Sequence, residues 1–278
     1  AGYYQFDVTD DHGCIMIDSI FVDEPDALVL NEIVTPVRCY GLSDGIIDVT
    51  TTGGTPPFVY SWYNSDYALS TQTEDLVNFP ADLYQVEIVD SNNCFYELYV
   101  NLPQPDSLII SHTFNNVSCK DSSDANIFID ITGGNPGYFT NWSNGSTIED
   151  QINIVANDYE LIVLDQKNCT DTFNITITEP DYITMTYDVN PVTCIDQHNG
   201  EAFAYPVGGN GGYNYEWSNG DLTYNASALY GGPVELVVTD ILGCLGYGSV
   251  EIPVIEIGCI DPVNAFSPNG DAYNDKWV

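Results

Sequence analysis

Eight cysteines are the residues of this chain best suited to covalent chemistry: Cys14, Cys39, Cys94, Cys119, Cys169, Cys194, Cys244 and Cys259. None has the Cys-x-x-Cys spacing or the nearby His of a zinc site, so the expected chemistry is disulfide formation in an oxidising compartment. Two registers compete. One joins Cys39–Cys94, Cys119–Cys169 and Cys194–Cys244, leaving Cys14 for a partner upstream of the sequence and Cys259 unassigned. The other runs 14–39, 94–119, 169–194 and 244–259 and uses all eight. Four strands are expected between the first and second cysteine of each pair in the first register. Antiparallel strands reverse each time, so an even count returns both cysteines to one end. That favours the first register. Each such bridge would close a loop of about 50 residues and stabilise by about 4 kcal/mol through chain entropy.

A second group lies near the end of the sequence. Asn269, Asp271, Asn274 and Asp275 place oxygen donors close together on a loop containing Gly270. Such a set suits calcium, a hard cation that takes six to eight oxygens. The competing reading is an Asn-Gly and Asp turn that caps itself. No catalytic set emerges. His12, His112 and His198 occupy unmatched places, and the Asp pairs recur at turns and strand ends, not as an acid/base couple. A non-enzymatic protein is expected.

The cysteines belong to a repeat. Cys39, Cys119 and Cys194 each follow a Val two residues earlier, at 37, 117 and 192. A Gly pair comes next, at Gly53-Gly54, Gly133-Gly134 and Gly208-Gly209, and then an aromatic run to Trp62, Trp142 or Trp217. Each unit closes on Asp-x-x-x-Cys, at Asp90, Asp165 and Asp240. A fixed period denotes an array of like modules. The expected division is 1–30 as the closing part of a module, 31–105, 106–180 and 181–255 as three full modules, and 256–278 as a linker and an opening strand. Because residues 1–30 match only the end of a unit, the sequence is expected to be a piece of something longer.

Within the second unit, Asn126 to Ile131 alternates polar and apolar as a half-buried strand does, and Tyr159 to Leu164 is the clearest strand. Asn144-Gly145 marks a hairpin. No stretch keeps a helical period. The fold class expected is all-β: tandem immunoglobulin-like (PKD-like) antiparallel β-sandwiches of six or seven strands, in an elongated rod. Pro25, Pro105 and Pro180 mark short, stiff seams. The three tryptophans recur in one strand and are expected in the cores, not in a glycan-binding stripe.

Forty-one acidic residues stand against four basic ones, a formal net charge of −37. Nucleic acid is excluded as a partner, since its phosphates need Lys and Arg. Docking on anionic lipid is disfavoured, and no run approaches the ~18 apolar residues of a membrane helix. Aromatic residues at 13% and hydrophobic residues at 44% fit a packed β protein with a solvated, self-repelling surface. Arg38, Lys120 and Lys167 lie beside cysteines and are expected to neutralise carboxylates such as Asp121 or Asp165.

The run Cys39 … Asp44-Gly45 … Gly53-Gly54-Thr55-Pro56-Pro57-Phe58-Val59-Tyr60-Ser61-Trp62 … Leu83-Tyr84-Gln85-Val86-Glu87-Ile88-Val89-Asp90 … Cys94 resembles the SprB-type repeat of Bacteroidetes gliding-motility adhesins. Ala125 and Gly200 stand where Gly45 does, and Gly211-Gly212 replaces the Pro pair. Residues 263–275 resemble the opening of a gliding-motility-associated C-terminal domain, with Ala272 where that family has Gly. Together these resemblances imply export by type IX secretion and display at the bacterial cell surface, with the secretion machinery as a partner of the parent protein. Asp18-Ser19-Ile20 and Asp106-Ser107-Leu108 are similar to O-glycosylation sequences of Bacteroidetes, which makes Ser19 and Ser107 candidate acceptors.

The function expected is that of an extracellular structural or adhesion protein, the stalk of a surface adhesin whose partners are the other modules of the chain. The alternatives are a module that binds glycans or another surface, an accessory region of an enzyme, and a filament subunit that self-associates by strand exchange. If the tail loop takes calcium, calorimetric titration of the chain gives heat that Asp271→Ala and Asp275→Ala remove; a wild type that gives none ends that expectation.

Overall fold

In a computed structural model of the chain, residues 1–256 are described. No helix occurs among them, and hence none long and apolar enough to cross a membrane. The first hairpin pairs β1 (Gly2–Thr9) with β2 (Ile15–Val22). Three sets of six strands follow. The first holds β3 (Val29–Thr35), β4 (Gly45–Thr52), β5 (Val59–Tyr63), β6 (Leu76–Phe79), β7 (Asp82–Val89) and β8 (Phe95–Leu102). The second holds β9 (Ile109–Asn115), β10 (Ala125–Thr132), β11 (Phe139–Trp142), β12 (Gln151–Ile154), β13 (Asn157–Leu164) and β14 (Thr170–Ile177). The third holds β15 (Thr184–Asn190), β16 (Gly200–Val207), β17 (Asn214–Trp217), β18 (Asn225–Leu229), β19 (Gly232–Thr239) and β20 (Leu245–Ile252).

Each set makes two three-stranded sheets, and the order repeats: β3-β4-β6 with β5-β7-β8, β9-β10-β12 with β11-β13-β14, and β15-β16-β18 with β17-β19-β20. The strands alternate as half-buried strands must. In β7 the pattern buries Tyr84, Val86 and Ile88, and in β10 it buries Ala125, Ile127, Ile129 and Ile131. Burying one face of each sheet requires a second sheet against it. The first core gathers Leu30, Ile47, Trp62, Leu76, Tyr84 and Val100, and the third gathers Ile183, Val192, Trp217, Leu236 and Ile252.

Trp62, Trp142 and Trp217 are all within 2% of complete burial. Their indole N–H groups donate to Thr73 O, Ile148 O and Thr223 O, each at 3.0 Å. A buried indole satisfied in this way is a packing residue. The tryptophans are therefore core, as their place in the repeat implies.

By compactness the chain divides into two units. One is Ala1–Ser111 with Asp130–Asn141 and Ile162–Thr172; the other is His112–Ile129 with Trp142–Leu161 and the chain from Phe173. The first contains one disulfide, Cys39–Cys169, and the second contains another, Cys119–Cys244. Cys194 is also disulfide-bonded, while Cys14 and Cys94 are free and exposed. The expected pairs Cys39–Cys94, Cys119–Cys169 and Cys194–Cys244 are thus overturned, and so are 14–39, 94–119, 169–194 and 244–259. The opening cysteine of one module joins the closing cysteine of the next.

Strand direction explains why. Thr35 pairs with Ile46, Gly45 with Phe79 and Asp82 with Leu102, so these residues share one pole of the first sandwich, and Cys39 lies there. Val29 pairs with Thr52, Val59 with Val89 and Val89 with Phe95, so these share the opposite pole, and Cys94 lies there. Four strands do lie between the two cysteines. A fifth pass, which is not a strand, lies among them. After β5 the chain doubles back, held by the Tyr63–Ala68 bridge and by Leu69 N–H on Trp62 O at 2.7 Å, before β6 sets off again. Five passes are odd, and the cysteines of one module part to opposite ends.

Peptide mapping under non-reducing conditions should recover fragments joining Cys39 to Cys169 and Cys119 to Cys244. A fragment joining Cys39 to Cys94 would refute this pairing.

Candidate functional site

The entry pole of each module is built around one carboxylate. Asp90, Asp165 and Asp240 are nearly inaccessible to solvent. Through Oδ2 each accepts a backbone N–H just past the Gly pair: Thr55 at 2.9 Å, Asn135 at 2.8 Å and Asn210 at 2.7 Å. Through Oδ1 each accepts two N–H groups of its own hairpin turn. In the second module these are Lys167 at 2.7 Å and Cys169 at 2.9 Å; in the third they are Leu242 and Cys244, both at 2.9 Å. The carboxylate therefore ties the Gly-pair loop to the turn that carries the closing cysteine.

The Gly pair belongs to the same construction. Gly133 has φ +76°, and a Cβ there would lie 1.9 Å from Ser107 O; at Gly208 it would lie 2.1 Å from Tyr182 O. Only glycine lets the loop approach the incoming chain so closely. The next glycine donates its N–H to that chain, Gly134 to Asp106 O and Gly209 to Asp181 O, each at 2.9 Å.

The exit pole explains the Val-x-Cys spacing. Val37, Val117 and Val192 are buried, and their N–H groups donate to Pro103 O, Thr178 O and Pro253 O at 2.9, 3.1 and 2.9 Å. The valine plugs the end of the core where the chain leaves it. Two residues on, the cysteine stands at the rim. The intervening residue is turned by an acceptor farther along the chain: Arg38 N–H to Asp44 Oδ1 at 2.9 Å, and Ser118 N–H to Asp124 Oδ1 at 3.0 Å.

Where an exit pole meets the next entry pole, the disulfide has company. Asn135 Nδ2 donates to Arg38 O at 3.0 Å and to Asp165 Oδ2 at 2.8 Å. Asn210 Nδ2 repeats this with Ser118 O at 2.8 Å and Asp240 Oδ2 at 2.9 Å. Each asparagine thus holds the carbonyl just before the opening cysteine. The Cα atoms of the bridged cysteines are 5.7 Å apart in Cys39–Cys169 and 5.4 Å apart in Cys119–Cys244, within the ordinary range. The first seam adds Gly41 N–H on Gln104 Oε1 at 2.7 Å. The second adds Lys120 paired with Glu179, Asp121 N–H on Glu179 Oε2 at 2.8 Å, and Tyr182 O–H on Asp121. Lys120 thus pairs directly with Glu179, with the Asp121 charge also nearby, and Arg38 faces Asp44 at 3.4 Å. Beside the first disulfide lies a cleft of about 570 Å³ lined by Arg38, Leu42, Ser107 and Asn168 among others.

Burial pushes the Asp165 carboxyl up, but the Asn135 side chain and the N–H donors of Cys169, Asn135 and Lys167 outweigh it, so its pKa falls below the usual carboxylate range. Asp90 and Asp240 are lowered in the same way. The Lys120 hydrogen bond holds Glu179 down.

The other residues singled out in the sequence are not brought together. Ser19 is exposed in β2 with its N–H on Asp18 Oδ1, and Ser107 is exposed at the entry pole of the second module. Asn269, Asp271, Asn274, Asp275 and Cys259 lie outside the described residues. Among the described residues no group of three or more His, Cys, Asp or Glu is placed to hold a metal. His112 packs on Phe173 and His198 near Tyr230, at centroid distances of 4.3 and 5.6 Å. Sequence reasoning missed Asn135 and Asn210, although both directly follow the Gly pair, and it read the closing aspartates as ordinary turn residues.

Stacked three-stranded sheets, repeated three times with one buried tryptophan each, define a tandem array of immunoglobulin-like sandwiches. The family model of the SprB repeat matches the chain three times, at residues 31–66, 111–147 and 186–222. Each match spans the opening strands, the Val-x-Cys, the Gly pair and the tryptophan. No curated protein sequence matches the chain. Among solved structures, three N-terminal domains of the bacteriophage RB49 Hoc protein align at 15% identity over 83% of this chain and 99% of that one, with a TM-score of 0.41. Titin domains I67–I69 align at 9% identity over 81% and 98%, with a TM-score of 0.37. The eight N-terminal immunoglobulin domains of DSCAM align at 8% over 91% and 43%, with a TM-score of 0.38. These values are too low to add to the fold, which rests on the sheets and cores.

The lowered carboxylates make the seams acid-sensitive. Their folded pKa lies below the unfolded value of about 4, so in acid the unfolded chain binds more protons. The stability they contribute is full above that value and is lost as pH falls through the lower, folded one. Asp165→Asn leaves buried N–H donors short of an acceptor and should cost about 1–3 kcal/mol near neutrality. Its stability should also fall less steeply in acid than the wild type's. Denaturant titrations from neutral pH to below pH 4 check both; parallel curves would contradict the assignment.

Proposed function

We propose that this chain is a load-bearing stalk segment of an extracellular bacterial adhesin, with no catalytic role of its own. One observation carries the reading: Cys39–Cys169 and Cys119–Cys244 each run from the opening cysteine of one module to the closing cysteine of the next. A bond inside a sandwich would secure one fold. These bonds secure the connection between folds, where a stalk under tension would otherwise yield. Disulfides of this kind persist only outside a reducing cytosol, which supports a surface location. The strongly acidic surface keeps such a protein soluble and resists non-specific association. The SprB repeats support the surface-adhesin reading. The sequence resemblance of residues 263–275 supports type IX secretion as the route of export.

Pulling on the two ends tests the mechanical part. In the oxidised chain the shortest covalent path from Cys39 to Cys244 crosses to Cys169, runs back to Cys119 and crosses again. Only segment 119–169 can then extend between those points. With the disulfides reduced, all of segment 39–244 extends, and the fully unfolded chain should be on the order of 500 Å longer. Equal contour lengths with and without reductant would defeat the proposal.

A further inference from the structure

We propose that Cys94 is the receiving half of another such staple, which takes the opening cysteine of a further repeat of the Val-x-Cys pattern. The entry pole of the first module has the same frame as the two that are occupied. Asp90 Oδ2 accepts Thr55 N–H at 2.9 Å, and Asp90 Oδ1 accepts Asn92 N–H at 2.9 Å and Cys94 N–H at 2.7 Å. Gly54 donates to Asp26 O at 2.8 Å, as Gly134 and Gly209 do to Asp106 O and Asp181 O. At the two matching poles the cysteine on this frame, Cys169 or Cys244, is bonded to an opening cysteine. At this pole the thiol is exposed and free.

The donor is a repeat other than the three described. Cys39, Cys119 and Cys194 are all in disulfides already. Cys14, the other free thiol among the described residues, is itself a closing cysteine, held by Asp10 Oδ1 through its N–H at 2.9 Å. It lies on the β1–β2 hairpin, which has no Gly-pair loop beside it. Cys94 therefore has a complete receiving pole and Cys14 does not.

One residue differs at the pole of Cys94. Thr55 stands where Asn135 and Asn210 hold the carbonyl before the partner cysteine, and its hydroxyl oxygen accepts from Asn92 Nδ2 at 2.9 Å instead. The partner is consequently held less firmly here, and Thr55→Asn should restore the missing hydrogen bond. Burial and the neighbouring Asp90 charge raise the Cys94 thiol above its ordinary pKa.

The inference rests on the stapled-seam reading, and the experiment separates the two. The probe is a synthetic peptide of residues 35–46, its cysteine activated as a mixed disulfide with 2-thiopyridine and offered to the full chain. The Cys94 thiolate attacks the peptide sulfur, the new protein–peptide disulfide forms, and 2-thiopyridone leaves with the electron pair of the broken bond. A scrambled peptide with cysteine at the same place is the control, and mass mapping reads each site. Cys94 should react several-fold faster with the native peptide than with the scrambled one, Cys14 should react equally with both, and Thr55→Asn should widen the ratio at Cys94. Equal rates at Cys94, or the same preference at Cys14, would overturn the proposal. The same maps report Cys39–Cys169 and Cys119–Cys244, so loss of the seam reading is seen separately.

Discussion

One buried carboxylate per module organises this protein. Asp165 spends both oxygens on N–H groups from two places that would otherwise be independent, the loop after Gly134 and the turn before Cys169. Burying a charge is costly unless it is fully hydrogen-bonded, and each donor here comes from backbone whose position the fold must hold. The Gly pair, the hairpin turn and the cysteine are consequently set in relation to one another by hydrogen bonds as well as by the disulfide. Asn135 then extends the same oxygen's reach to the carbonyl of Arg38. The covalent bond and the hydrogen bonds hold the same alignment.

Each pole has its own economy of sequence. At the entry pole the first glycine lets backbone pass within contact distance of backbone, and the second holds a positive φ with the side chain of Asp165 or Asp240 close against it. At the exit pole a single valine closes the core and leaves the cysteine two residues on, at the rim. The motif seen as a string of letters therefore combines two sites from opposite ends of a sandwich. Cys39 and Gly53-Gly54 are near in sequence, yet one serves the seam with the module that follows and the other receives the chain arriving from before.

Much of the fold was legible from the residues alone. Alternation in Asn126–Ile131 and Tyr159–Leu164 marked strands β10 and β13, and the recurrence of Trp62, Trp142 and Trp217 marked the cores. The cysteine pairing was not legible, for a physical reason. The return after Tyr63 carries few strand signals, since it is held by a single bridge and by side chains such as Asp75, whose Oδ1 caps Val49 N–H. A pass through the sandwich without strand character escapes a count of strands, and an argument from parity turns on one such pass. Asn135 was overlooked because a polar residue after Gly-Gly reads as turn chemistry. Its partner, Arg38 O, lies in another module, and no local pattern points to it.

The two disulfide loops overlap, since Cys119 lies inside the span from Cys39 to Cys169, and Cys169 lies inside the span from Cys119 to Cys244. A single peptide bond hydrolysed anywhere between Cys39 and Cys244 therefore leaves the molecule in one covalent piece. Loss of the first bridge's span is covered by the second across their shared segment. Wherever a protease reaches this segment, the redundancy means that one nick does not sever it. Severance in this region takes at least two events.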